Sequence, residues 1–198
     1  MPRPRTFDES DVVAAARDEF WSRGYAATSI DDLTAATGLG KGSLYGAFGH
    51  KHALYLRALD DYIGSALDSV RAQLRDGSNK AYDRLIRHIR SQVNAVAGDK
   101  KLRGCMMAKS AAELAATDDD VERAVEQAYA TWHAELIDCI RAAQRDGDID
   151  AKQNAPALAT TLLALMRGLE ALHKGGMKPA QIKAAAEEMI ALIPGGSE

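Results

Sequence analysis

The sequence predicts an all-α protein of about nine helices, with a small N-terminal three-helix head and a larger helical body. Three observations predict it. Apolar residues recur at spacings of three and four along nearly the whole chain. Ala and Leu abound while Gly and Pro gather at the breaks between periodic stretches. No stretch of any length alternates in the manner of a strand, and no internal repeat is present.

The elements follow in order. Asp8 is placed to cap a first helix with Val12, Val13, Ala16 and Phe20 as its apolar stripe, and Gly24 ends it. Thr28 is the expected N-cap of a short second helix, Asp31 completing a capping-box spacing, with Ile30, Leu33 and Ala36 facing inward and Gly38 closing it. After Leu39-Gly40, a third helix from Lys41 to Phe48 turns Leu44 and Phe48 inward and leaves Lys41, Ser43 and Tyr45 facing elsewhere. From Lys51 a long helix runs to Asp76-Gly77 on Leu54, Leu59, Tyr62, Ile63, Ala66, Leu67, Val70 and Leu74. A fifth begins near Ser78 and carries Tyr82, Leu85, Ile86, Ile89, Val93 and Val96 to Gly98. Gly104-Cys105-Met106-Met107 opens a small, weakly amphipathic sixth helix to about Ala116. Thr117-Asp118-Asp119-Asp120 caps a seventh bearing Val121, Val125, Tyr129, Trp132, Leu136 and Ile140. The eighth, about Lys152 to Lys174, has Leu158, Leu162, Leu165, Leu169 and Leu172, widened by Ala159, Leu163 and Met166; so broad an apolar arc requires burial on more than one side. Pro179 opens the ninth, with Ile182, Met189 and Ile193.

The second and third helices are too short to support themselves, because nucleation is costly and little area is buried. They must rest on a neighbour, which frees their outward polar residues to touch something else. That is the logic of a helix-turn-helix that reads DNA. A net charge of −3 over 198 residues is not that of a protein that coats nucleic acid, so DNA binding must come from local charge placement. Met1-Pro2-Arg3-Pro4-Arg5 has no apolar stretch behind it, so no secretory signal is expected. No apolar run approaches a membrane span, and no membrane partner is expected. Two cysteines, Cys105 and Cys139, suit a reducing cytoplasm.

The run Thr28-Ser29-Ile30-Asp31-Asp32-Leu33, then Ala35-Ala36-Thr37-Gly38-Leu39, Lys41-Gly42-Ser43-Leu44-Tyr45 with Phe48, and Lys51 with Leu54, closely resembles the DNA-binding domain of the TetR family of bacterial transcriptional regulators. The resemblance covers Thr6 to about Ala66; the body matches only in the number and length of its helices. It implies a DNA-binding domain over residues 6–66, with its helix-turn-helix at 29–48, and a regulatory, ligand-binding and dimerisation domain over 67–198. The implied function is a ligand-responsive regulator, most often a repressor. It would bind a palindromic double-stranded operator as a homodimer and be released by a small-molecule effector. No enzyme activity and no cofactor are implied.

By the same resemblance, Thr28, Tyr45 and Lys51 match phosphate-contacting positions, and a helix N-terminus favours an anion on physical grounds as well. Lys41 matches a basic contact, Gly42 lets the backbone approach the DNA, and Ser43 is placed for a base edge or phosphate. Ser29, Leu44 and His50 complete the expected DNA-binding set. The chain departs from the family pattern at Gly46 and Ala47, where an aromatic and a His, Asn or Arg are common, and at His50, where a better capping residue is usual. Readout is then expected to lean on Lys41 and Ser43, with Arg3 and Arg5 of the N-terminal arm reaching a minor groove.

In the body, position and polarity mark Tyr62, His88, Met106, Met107, Tyr129, Trp132, His133 and Met166 as candidate effector contacts, although aromatics and methionines at such spacing usually fill a core. Leu158, Leu162, Leu165, Leu169, Ile182 and Met189 are the expected dimer interface, since the corresponding helix pair forms a four-helix bundle with its copy in the family. Cys105, near a helix N-terminus and beside Arg103, is a candidate redox or electrophile sensor, with a buried hydrophobe as the plainer reading. A helical interaction protein whose corner helices merely pack is the alternative from another class. The Asp118-Asp119-Asp120 run lacks the glycine and distal Glu of an EF-hand, the histidines lack ligand spacing, and no metal is expected.

Overall fold

Local chemistry sets the helix ends. Asp8 Oδ1 accepts from Ser10 N at 2.8 Å and caps α1, Glu9–Arg23. Ser29 caps α2, Ile30–Thr37. The expected cap, Thr28, is fully buried, and its hydroxyl donates to Gly24 O at 2.7 Å. The box is therefore Ser29 with Asp32 rather than Thr28 with Asp31: extended backbone at Ser29 aims its hydroxyl at the N3 amide, while the Thr28 side chain points into the core. α3 spans Lys41–Phe48, α4 Lys51–Leu74, α5 Ala81–Gly98 and α6 Met106–Leu114. α7 covers Asp119–Arg145, α8 Ala155–Lys174 and α9 Pro179–Ala191.

This is a computed structural model that describes residues 7–193 and 195; Arg3 and Arg5 of the expected arm lie outside the described residues. Among the described residues there are nine helices and no strand beyond an isolated antiparallel bridge between Ile149 and Gly195. α5 begins later than its periodicity suggests, because Asp76 collects Ser78 N, Ser78 Oγ and Asn79 Nδ2 into a turn first. α8 likewise starts at Ala155 rather than Lys152, where Asn154 Oδ1 accepts from Ala157 N at 3.0 Å.

The chain divides into two compact units. The first holds the residues up to Ser65 together with Cys105–Val125; the second holds Ala66–Gly104 with the residues from Glu126 onward. Cys105–Val125, which lie beyond the expected boundary at 66/67, fall in the first unit.

In the first unit, Val12, Val13, Ala16 and Phe20 of α1 are buried with Leu33, Leu44, Phe48, Leu54 and Leu59. Phe20 meets the Tyr55 ring edge-on at 5.0 Å, and Tyr25 lies 4.9 Å from the same ring. Ser110 Oγ donates to Met106 O, so its hydrogen is committed. Tyr55 Oη must then donate to Ser110 Oγ, at 2.7 Å. Burial pushes the Tyr55 phenol up to about 12.

In the second unit α5, α8 and α9 pack mutually, and Val93, Leu169, Ile182 and Ala186 form one core cluster. Glu135 is buried and accepts from Arg75 Nε at 2.7 Å and Arg75 Nη2 at 2.5 Å. Two parallel bonds of this kind make such a pair strong. α8 corrects one expectation: by length and composition alone, its 20 residues could cross a membrane. Eight of them, Glu170 and His173 included, are instead buried within this unit.

Candidate nucleic-acid interface

The turn between α2 and α3 is built from four residues. Thr37 Oγ1 donates to Leu33 O at 2.7 Å and accepts from Leu39 N at 3.3 Å, tying the last turn of α2 to the loop. Gly38 takes the left-handed conformation, φ 69°, and ends α2. Glycine does so at little steric cost. Gly40 then opens α3 in an extended conformation, with no side chain bonded to the helix's first amides. Those N–H groups, with the positive end of the helix dipole, are open to an anion.

Leu44 and Phe48 bury α3 against the head, at 4% and 8% exposure. Leu44, expected among the DNA contacts, is therefore packing rather than surface. Lys41, Gly42, Ser43, Tyr45 and Gly46 are exposed on the other side. The Lys41 ammonium lies 5.9 Å from the centre of the Tyr45 ring. A cation and a phenol thus share one outward edge, within the range at which the ring face attracts the charge. Ser29 is exposed at the N-terminus of α2. Its hydroxyl accepts from Asp32 N at 3.1 Å, and Asp32 Oδ2 accepts from Ser29 N at 2.8 Å. The hydrogen bonds from Ser29 hold the Asp32 carboxyl below the usual range. Ser29→Ala is expected to lower stability by about 1 kcal/mol, read from the urea midpoint; an unchanged midpoint would show that the box contributes nothing.

Exposed His50 and half-buried Lys51 both bond to the protein's own backbone. His50 Nδ1 accepts from Ala53 N at 3.1 Å. The imidazole thus caps α4 where a Ser or Asp is more usual. Lys51 Nζ donates to Tyr25 O at 2.6 Å and sits 4.3 Å over the Tyr25 ring. Burial draws the Lys51 ammonium below its ordinary range.

Sequence reasoning missed the residues that hold the α1–α2 link. Glu113 of α6 accepts from Tyr25 N at 3.0 Å and Ala26 N at 2.6 Å. Gly24 permits this, since at φ 89° a Cβ there would fall 2.7 Å from Glu113 Oε2. Lys109 Nζ donates to Trp21 O at 2.6 Å. That places an ammonium at the negative end of α1. His52 Nε2 and Asp118 Oδ2 are 2.6 Å apart. No periodicity announces these contacts, which join residues up to 88 apart in sequence.

The candidate effector residues fall in both units. Tyr62, Met106 and Met107 belong to the first unit, where both methionines are buried and Tyr62 meets the Trp21 ring edge-on. The others belong to the second unit. There the structure joins His88 to Trp132, whose Nε1 donates to His88 Nε2 at 3.0 Å. A neutral imidazole that accepts at one nitrogen carries its proton on the other. His88 Nδ1 therefore donates to Gln73 Oε1 at 2.8 Å. Arg167 lies over the Trp132 ring at 5.1 Å. His133 bonds to Pro156 O and Thr160 Oγ1 of α8 instead. Tyr129 is half-buried and Met166 buried. An open cleft of about 560 Å³ lies along Tyr82, Ile86, Arg87, Arg90 and Ile190, and none of the candidates lines it.

Of the expected dimer contacts, Leu158, Leu162, Leu169, Ile182 and Met189 are buried within the second unit, and only Leu165 is exposed, at 42%. Leu158, Leu162 and Leu169 of α8 and Ile182 and Met189 of α9 are buried where α5, α8 and α9 pack together. Leu172 and Leu192, absent from the expected set, are exposed as well. Cys105 occupies the N-cap position of α6 and is buried, as is Cys139, and the two form no disulfide. Among the described residues no group of three or more His, Cys, Asp or Glu is arranged to hold a metal ion.

Comparison with known proteins places this geometry. Residues 12–58 match the family described as bacterial regulatory proteins, tetR family. Residues 81–192 match the tetracyclin repressor-like C-terminal domain. Among curated relatives, the HTH-type transcriptional repressor ComR of Escherichia coli strain K12 is 26% identical over 192 residues, 97% of this chain and 91% of its own. The repressor DhaR of a Mycobacterium species, strain GP1, is 26% identical over 83% of this chain and 81% of its own. Among solved structures, a cysteine mutant of the TetR family regulator CifR complexed with 26bp double-strand operator DNA superposes with a TM-score of 0.83. It is 29% identical, over 97% of this chain and all of that one.

Proposed function

The chain belongs to the TetR family of bacterial regulatory proteins, and from that membership we propose that it is a ligand-responsive transcriptional repressor. It binds a palindromic operator as a homodimer in the cytoplasm and releases it when a small molecule binds the body. The observation that carries this reading is the outward face of α3. Two buried anchors, Leu44 and Phe48, hold a two-turn helix whose exposed residues carry an ammonium at Lys41 and hydroxyls at Ser43 and Tyr45. Ser29, Lys41 and Tyr45, with the open amides at the start of α3, supply phosphate contacts that fix register, and Ser43 reaches a base edge. Lys51 supports this set from behind by holding the Tyr25 carbonyl.

The dimer surface in this reading is the exposed side of α8: Thr161, Ala164, Leu165, Gly168 and Leu172. Its small residues allow two helices to approach closely, and its two leucines supply apolar area. A two-fold pair would set the recognition helices about 34 Å apart, in successive major grooves. Release is a population shift: an effector that prefers one body conformation lowers operator affinity only by its differential affinity for the two states. Glu113 ties α6 to the turn preceding α2 and Lys109 ties it to the last turn of α1, so displacement of α6 is delivered to the head.

The test is titration of labelled palindromic DNA from the region upstream of the protein's own gene. Binding is expected at two chains per half-site pair, falling steeply with salt, with about tenfold weaker affinity for Lys41→Ala and for Tyr45→Phe. Affinity indifferent to sequence, to salt and to both substitutions would sink the reading.

A further inference from the structure

Gly46 is the residue of α3 farthest from the core. Leu44 and Phe48, the two buried anchors, stand two positions to either side of it. At about 100° per residue, Gly46 lies roughly 200° from both and so points directly away from them. Exposed Gly42 and Ser43 flank it, and the half-buried Ala47 follows. The outward centre of a DNA-reading helix is thus bare backbone edged by a hydroxyl and a methyl.

Nothing inside the chain demands glycine at this position. Gly46 lies within a helix and has no left-handed backbone conformation, and a Cβ built on it would meet nothing within 4 Å. Gly24 and Gly104 differ, since both have positive φ and a Cβ on either would collide with a carboxylate. Mid-helix glycine weakens any helix, and a two-turn helix such as α3 has little to spare. The absence of a side chain benefits only what approaches from outside. Building on the operator-binding reading above, we propose that Gly46 is the close-approach residue of the recognition helix. Its missing side chain lets a base edge of the operator meet the α3 backbone, and sequence preference at that position comes from clearance together with the Ser43 hydroxyl.

Stability and binding are then expected to move in opposite directions. Gly46→Ala is expected to raise Tm by about 2–4 °C through helix propensity alone. It is also expected to weaken operator binding about tenfold while leaving affinity for unrelated duplex DNA unchanged, because phosphate contacts are not at issue. Gly64→Ala is the control: Gly64 is also exposed in a helix with open space around its Cβ, but sits on α4. It is expected to raise Tm without changing operator affinity. Both are measured by fluorescence anisotropy on the palindromic duplex and by thermal melts. Operator affinity of Gly46→Ala within twofold of wild type overturns the inference alone. Wild-type protein that does not prefer the operator over unrelated DNA overturns the inference and the reading beneath it.

Discussion

Lowering the pH from 7.5 to 4.5 is expected to destabilise the second unit by about 3 kcal/mol through one residue, His88. The ring is fully buried, with both nitrogens engaged: Nδ1 donates to Gln73 and Nε2 accepts from Trp132. Protonation would convert the acceptor into a second donor facing the indole N–H and place a charge in a dry site near Arg167. Burial first, and then the Arg167 charge, push the ring down to about 4 from 6.5. Between those values the unfolded chain holds the proton and the folded chain does not, so stability falls as pH drops through this window and levels off near pH 4. A pKa difference of one between the folded and unfolded chain is worth about 1.4 kcal/mol, which yields the figure above. Exposed carboxylates enter mainly at lower pH, since their ordinary range is about 3.9 to 4.3. Urea unfolding at the two pH values should show the loss in wild type. His88→Gln should be less stable at pH 7.5, because Trp132 and Gln73 lose a well-placed partner, yet should lose much less on acidification. Equal pH dependence in the two proteins would refute the assignment.

Gly104→Ala is expected to cost about 2–5 kcal/mol, the reverse of Gly46→Ala. Gly104 has φ 66°. In that left-handed conformation a Cβ costs roughly 1–2 kcal/mol. The added methyl would also collide with Glu170 Oε1 and fall 2.9 Å from Lys174 Cδ. The lysine stem can yield. The Glu170 carboxylate has much less freedom, because it is buried and held by Arg167 at 2.6 Å. Overpacking against such a group adds roughly 1–3 kcal/mol. Thermal and urea unfolding would measure the loss, and a variant as stable as wild type would mean that the loop from Asp99 to Cys105 can rearrange freely.

Much of the head was legible in the sequence. The buried positions of α1, the left-handed Gly38, the inward Leu44 and Phe48 and the outward Lys41, Ser43 and Tyr45 all follow from periodicity and turn chemistry over spans of a few residues. The site was less legible where side chains near the interface turned inward. Thr28, Leu44 and Lys51 match the family's pattern, yet Thr28 and Leu44 are buried and the Lys51 ammonium is engaged with Tyr25. A motif match records residue identity and spacing, and a hydroxyl or ammonium can satisfy either an internal carbonyl or an external phosphate.

By itself, the sequence determined helix number, approximate helix bounds and the direction each side chain takes around its own axis, because all three depend on local backbone chemistry and a helical period of about 3.6 residues. Only the tertiary structure decided which partner each face found. It buried Leu158, Leu162 and Leu169 while leaving Leu165 and Leu172 exposed on the same apolar helix. It joined His88 to Trp132, 44 residues away, and set Glu113 on amides 87 and 88 residues away. It also placed Cys105–Val125 with a head whose first helix lies far earlier in the chain. These are long-range pairings, chosen by shape and by the need to satisfy buried polar groups, and no local window of sequence contains both partners.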